Sequence, residues 1–415
     1  MLIKPSSFAC FLFVIMAMAG CRKPYQPPGT STQGSYLVVE GMINSGADST
    51  SIKLSKTVPL LAKTTVNPVL NASVTVESSG GASYALATAG QGIYKCGGLN
   101  LDSTLKYRLR IKTAEGGEYV SDFVPVVNAP PIDTISHAVQ NKGIQFYVST
   151  HGAQNSARYY RWDYQETWVF HSKYYSFCKS TGDTVINRNL VTEQVYQCWK
   201  SDTSSTIVVG SSSGLSKSVI SNQPLTFVAS ISEKLDGGQS IIIEQFAPTT
   251  TAYSILVKQY ALTGDAYTYW QNLKKNTEQL GSIFDAQPSQ AGGNIHSVTN
   301  PAEQVIGYIS AGTTSSKRIF VKNQEIPAAW LPANAGDNCK LDSLYLHYLA
   351  PGATVAVNQE DEYFNINRQG KYFTQQIPVA TIYNKFGELI GHTGSSPDCV
   401  DCTLRGTNKK PAFWK

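Results

Sequence analysis

The chain has 415 residues, of which 42% are hydrophobic and only 15% charged, with 33 glycines and 23 tyrosines. That length and apolar content exclude a disordered chain and predict more than one domain with a sizeable core, and the scarcity of charge predicts a surface of Ser, Thr, Asn, Gln and Tyr, as suits an all-β extracytoplasmic protein. The net charge of +5 comes from 34 basic and 29 acidic residues spread thinly along the chain, which excludes a nucleic-acid footprint.

Residues 1–20 read as an export signal: Lys4 supplies a positive start, and Phe8 to Ala19 is an unbroken apolar or small-residue stretch. It is too short to cross a bilayer, which takes about 20 apolar residues, and no other segment approaches that length. Met18-Ala19-Gly20-Cys21 resembles the lipobox of bacterial lipoproteins, so Cys21 is expected to carry the lipid and to begin the mature chain. Residues 21–35 hold Pro24, Pro27, Pro28 and Gly29, which suit neither helix nor central strand and predict a tether. By resemblance to lipoproteins of two-membrane bacteria, Arg22 after the cysteine implies the outer membrane, in either leaflet.

From Tyr36 the pattern turns to short alternating strands with Gly, Asn and Asp turns. Leu105 to Lys112 is the clearest, with Leu, Tyr, Leu and Ile on one face and Lys, Arg, Arg and Lys on the other. Residues 72–76, 83–88 and 118–122 alternate likewise, and the whole of 36–128 has the size of an immunoglobulin-like or transthyretin-like β-sandwich. Pro130-Pro131 marks the expected boundary to a larger β-rich domain over 129–415. There, 158–170 places Tyr160, Trp162, Tyr164, Glu166 and Trp168 on one face and Tyr159, Arg161, Asp163 and Gln165 on the other. Residues 171–224 read as a polar insertion, after which strands resume at 225–231, 240–246 and 252–262. One main helix is expected at about 265–281, with Trp270, Leu273, Thr277 and Leu280 at helical spacing and Gly281 as its end. Strands at 304–310, 317–322, 341–349 and 377–383 follow, within a loop-rich tail.

Eight cysteines are present. Removing Cys10 with the signal and Cys21 with the lipid leaves Cys96, Cys178, Cys198, Cys339, Cys399 and Cys402, an even set that suits an oxidising compartment. Cys178 and Cys198 flank the polar insertion and are the favoured pair, closing a loop of about twenty residues worth roughly 3 kcal/mol. Cys339 is expected to join Cys399 or Cys402, with a redox or zinc role for Cys399-x-x-Cys402 as the less favoured readings.

Catalytic chemistry is sought without a convincing constellation. Gly210-Ser-Ser-Ser-Gly214 satisfies a nucleophile-elbow pattern but sits in a Ser-rich tract with no helix start, which reads as a flexible loop. The six histidines show no metalloprotease spacing. Glu360, Asp361 and Glu362 read as a solvated turn, with calcium binding or glycosidase work as lesser alternatives. No catalytic, cofactor or metal residues are therefore assigned. The aromatic stripe of 158–170 is read first as core; the functional alternative leaves Trp162, Glu166 and Trp168 partly exposed as a platform for a sugar, peptide or partner. In that case Glu166 must pair, with Arg158 or Arg161, or reach solvent.

These features together resemble the DUF4249 family of Bacteroidetes envelope lipoproteins. The residues that carry the resemblance are Leu37 to Gly41, Pro130-Pro131-Ile132-Asp133, Tyr160-Arg161-Trp162, Glu166-Thr167-Trp168, Ala266 to Trp270, Gly281 to Asp285, Gly293-Asn294-Ile295, Gly307-Tyr308, Cys399 to Cys402 and Pro411 to Trp414. The family has no assigned biochemistry. The resemblance implies a lipid-anchored envelope protein encoded near TonB-dependent outer-membrane receptors. The expected function is thus a binding or assembly accessory beside such a barrel transporter, rather than an enzyme. The rival classes are an envelope hydrolase acting on glycans or peptides and an adhesin-like structural spacer.

Overall fold

The computed structural model describes residues 35–58, 66–140, 143–152, 157–229, 251–278, 292–326, 339–364 and 375–415. The expected export signal, Cys21 and nearly all of the tether, the strand expected at 240–246 and the Gly281 helix end lie outside these residues. The architecture is mostly β, with three α-helices among the described residues. None of the described helices is long and apolar enough to cross a membrane.

Among the described residues, nine strands precede the Pro130-Pro131 junction: β1 (Leu37–Asn44), β2 (Thr50–Lys56), β3 (Asn67–Pro68), β4 (Ser73–Ser78), β5 (Ser83–Gly90), β6 (Ile93–Cys96), β7 (Lys106–Lys112), β8 (Glu118–Ser121) and β9 (Val124–Pro125). The alternation at β7 is realised directly. Tyr107, Leu109 and Ile111 are buried, while Arg108 and Arg110 meet Glu77 of β4 at 2.7 and 2.5 Å on the outer face. After the junction come β10 (Ile132–Gln140), β11 (Gly143–His151), β12 (Tyr159–His171), β13 (Cys178–Ser180), β14 (Val185–Asn187), β15 (Gln197–Thr203), β16 (Val208–Ser211), β17 (Val219–Ala229), β18 (Thr251–Leu262) and helix α1 (Gly264–Glu278). The remainder holds β19 (Ile295–Ser297), β20 (Val305–Ile306), β21 (Ala311–Gly312), β22 (Thr314–Lys322), β23 (Asp342–Tyr345), helix α2 (Gln359–Tyr363), β24 (Ile377–Tyr383), β25 (Leu389–Ser395) and helix α3 (Pro397–Val400).

The first sheet does not stop at residue 128. Its strand order is β19-β8-β7-β4-β5-β6-β2-β1-β20, with β21 also on β1. The two strands at its ends, β19 and β20, are joined by only the short link 298–304, so the sheet must roll until its ends meet. Asn294 locks that seam. Its backbone carbonyl accepts from Asp122 N–H at 2.8 Å, while its side-chain amide donates to Ile309 O at 2.9 Å and accepts from Ile309 N–H at 2.8 Å. Ser310 O in turn accepts from Ile43 N–H of β1 at 2.9 Å. One side chain therefore stands in for a ladder rung across the closure. Gly307 is required there, since at φ 141° an added Cβ would lie 2.2 Å from Val39 O. The core inside the roll joins Leu37, Ile52, Val76 and Leu109 to Ile295, Val305 and Ile309, residues contributed from both sides of the expected domain boundary.

The second unit packs the sheet β10-β11-β17 on the sheet β15-β12-β18-β22, to which β16 adds on β12. Ile135, Ile144, Phe146 and Val148 face Tyr160, Trp162, Trp168, Ile255 and Val257 in one core. The segment expected as a polar insertion instead supplies β15 and β16 to one layer and β17 to the other. A buried relay ties the two layers together. Trp162 Nε1–H donates to Gln259 Oε1 at 2.8 Å, and Gln259 Nε2–H donates to Pro130 O at 2.8 Å and Thr150 Oγ1 at 3.1 Å. Strands β23-β25-β24 form a separate small sheet, and β13-β14 a two-stranded one.

The cysteines staple the tail onto the second unit. The expected Cys178–Cys198 bridge does not form: Cys178 lies in the β13–β14 hairpin opposite Asn187, buried as a free thiol. Cys198 on β15 faces the chain end and is bonded to Cys402, a separation of 204 residues. Trp199 and Thr407 exchange two backbone hydrogen bonds beside it, at 2.8 and 2.9 Å. Cys339 is bonded to Cys399, so the two members of the C-x-x-C serve different bridges.

Two outcomes check this account. Asn294→Ala strands the buried Ile309 N–H and C=O and is expected to cost about 1–3 kcal/mol in urea unfolding; an unchanged midpoint would mean the seam is held elsewhere. Peptide mapping without reduction is expected to recover Cys198 with Cys402 and Cys339 with Cys399, and Cys402→Ser is expected to lower stability by about 2–5 kcal/mol.

Candidate functional site

The aromatic stripe of β12 is core, not a platform. Trp162, Glu166 and Trp168 are 0%, 2% and 4% exposed, which removes them as a ligand surface. The reason is the second layer: a stripe at period two can be covered completely once a facing sheet is present. Glu166 meets the hydroxyl of Tyr253, which donates to Oε1. Burial and the adjacent Glu166 charge push the Tyr253 phenol well above its ordinary value, so it stays a donor.

The opposite face of β12 carries the chemistry. Antiparallel register sets Arg161 across from Tyr260 and Asp163 across from Lys258 on β18. Helix α1 then lays Trp270 over the same spot. Thr263 Oγ1 accepts from Ala266 N–H at 3.2 Å to start the helix, and Ala266 and Tyr269 are its buried residues. Leu273 and Trp270 are only half-buried and Thr277 is exposed, so the buried stripe is rotated from the expected one. Tyr269 packs on Tyr308 at 5.3 Å between ring centroids, which fixes the helix to the seam segment of the first unit.

Arg161 consequently sits between two rings, its guanidinium carbon 4.4 Å from the Tyr260 centroid and 4.0 Å from that of Trp270. Nη2 donates to Asp163 Oδ2 at 2.9 Å. Burial, followed by the Asp163 charge, pushes the Tyr260 phenol far above its ordinary value, with Arg161 opposing them. Next to this stack opens a cleft of about 490 Å³, a size that suits a small-molecule ligand. Glu40 of β1, Leu256 and Lys258 of β18, and Thr203 to Ile207 line it. That loop is held to β12: Ser204 N–H donates to Tyr164 O at 2.8 Å, and Tyr164 N–H donates to Ser204 Oγ at 3.1 Å.

A second cavity, of about 220 Å³, lies under the C-terminal sheet. Here the expected solvated turn proves to be helix α2, started by Asn358 Oδ1 accepting from Glu360 N–H at 3.0 Å. Glu360 is buried and lies 2.7 Å from His392 Nδ1, with Asp183 and Asp361 also lining the cavity. The Gly210 to Gly214 motif is no elbow. It ends β16 in a turn, and Ser212 is buried with its hydroxyl on Arg158 O at 3.4 Å. Among the described residues, no group of three or more His, Cys, Asp or Glu side chains is arranged to hold a metal ion.

The period-two pattern had already put Arg161 and Asp163 on one face; that Tyr260 and Trp270 would meet them depends on pairing over about a hundred residues and carried no local signal.

A family model described as "Domain of unknown function (DUF4249)" matches residues 22–318, more than half of the chain and the whole of this cleft. No curated protein matches the sequence.

Arg161→Met keeps the apolar stem but removes the cation from both rings and from Asp163. It is expected to cost about 1–2 kcal/mol, read as a lower thermal midpoint together with a shifted Trp emission; wild-type values for both would show that the stack contributes nothing.

Proposed function

The chain belongs to the DUF4249 family, and we propose that it is an outer-membrane lipoprotein that binds a ligand or partner as an accessory to a TonB-dependent barrel transporter. The observation that carries the binding role is the cleft, whose walls are held in place before any ligand arrives by the Arg161 stack and the Ser204 clamp. Prepaid order of this kind lowers the cost of association. Export to an oxidising compartment is supported by the two disulfides. Anchoring is supported by the lipobox-like Met18 to Cys21, and a polar tether long enough to hold the folded part clear of the lipid follows it.

The envelope-hydrolase reading keeps one specific observation in its favour, the buried His392–Glu360 pair. A carboxylate that orients an imidazole beside a cavity is the arrangement a general base needs. Loss of a measured hydrolytic activity in His392→Ala would establish it.

The transporter-accessory reading is tested by isolation from detergent-solubilised outer membrane. A barrel protein is expected at stoichiometric level, and its absence would sink the reading. Cys21→Ser is expected to move the protein from the membrane fraction to the soluble one; persistence in the membrane would overturn the lipid anchor.

A further inference from the structure

The chemistry of the cleft selects among ligand classes. Two acids and two bases line it, Glu40 and Asp163 with Arg161 and Lys258, and Glu40 is itself paired with Lys53 at 2.8 Å. Both cations are already engaged: Arg161 is paired with Asp163 and covered by two rings, and Lys258 Nζ lies 5.5 Å from the Tyr260 centroid. A phosphate or polycarboxylate would therefore find no unengaged cation in the lining. An extended peptide would find no template either, because the β12 backbone at Tyr164 is spent on Ser204 in both directions. What the walls do offer is short polar side chains of both donor and acceptor type, Gln165, Thr203, Ser205, Thr206 and Asp163, beside the half-buried Trp270 ring.

We infer that the cleft binds a neutral saccharide. Sugar hydroxyls donate and accept in alternation, which matches a lining of amide, hydroxyl and carboxylate groups. Their C–H faces are apolar and pack on an aromatic ring, the role left for Trp270. The Arg161 guanidinium, 4.0 Å from the centroid of that ring, holds it in place and is a positioning residue.

The inference rests on the binding role proposed above and adds the ligand class to it. The full-length mature protein, detergent-solubilised, is titrated with maltohexaose, cellohexaose and laminarihexaose, with a galacturonic-acid hexamer and a neutral hexapeptide as controls. Binding is read by calorimetry and by Trp fluorescence. Saturable binding of at least one neutral hexaose is expected, with affinity reduced about tenfold or more in Trp270→Ala, a loss of roughly 1.4 kcal/mol. Lys258→Ala and Thr206→Ala, the latter at an exposed position, guard against a folding defect and are each expected to weaken binding several-fold. No binding of any neutral hexaose, binding unaffected by all three substitutions, or preference for the acidic hexamer or the peptide would each overturn the inference. If the hexaoses fail while a barrel protein still co-purifies, only the ligand class falls and the accessory role stands.

Discussion

The structure depends on one closure. A sheet built from residues 37–125 cannot end at an open edge without exposing unpaired backbone, and the strands that finish it come from residues 295–312. The chain must first complete most of the second unit and then return. Asn294 makes the return specific, because its amide supplies both a donor and an acceptor to Ile309 where no continuous strand can run. The two units are thereby one structural problem. Nothing in the first core is finished until Ile295, Val305 and Ile309 arrive.

The site follows from the same return path. Helix α1 lies between β18 and the seam segment, and its Tyr269 docks on Tyr308 of that segment. The neighbouring residue, Trp270, is then carried over Arg161 of β12. A cation between two rings, paired with one carboxylate, is a low-mobility arrangement with little left to rearrange on binding. The cleft lining belongs partly to β1, through Glu40, so closing the first unit also helps form the binding site.

Disulfides do for the tail what the seam does for the first unit. Val169, Trp199 and Trp414 make only a small apolar cluster, too little to hold the last residues by burial alone. The Cys198–Cys402 bond and the paired Trp199 and Thr407 backbones fix that end to β15. The Cys339–Cys399 bond secures the small C-terminal sheet, against which the β13–β14 hairpin donates Phe177 N–H to Val379 O at 2.7 Å.

Much of the local structure was legible in the order of residues. Period two at β7 and β12 and the presence of one main helix near 265 express short-range sterics and solvation, which act between neighbours and so can be read from neighbours. The low charge and the mostly β class followed for the same reason. What pairs with what was not legible. Cys178 and Cys198 are close in sequence, yet β13 and β15 belong to different sheets and Cys198 is bonded to Cys402 instead. Glu360, in a run of three acids, became buried because His392 comes from a strand thirty residues on. Trp162 and Trp168 differ from Trp270 only in which sheet or helix covers them. The sequence by itself determined which faces are apolar where alternation is clear, as at β7 and β12. Tertiary structure alone decided which faces meet, because long-range contacts depend on the closure of the whole chain rather than on any stretch of it.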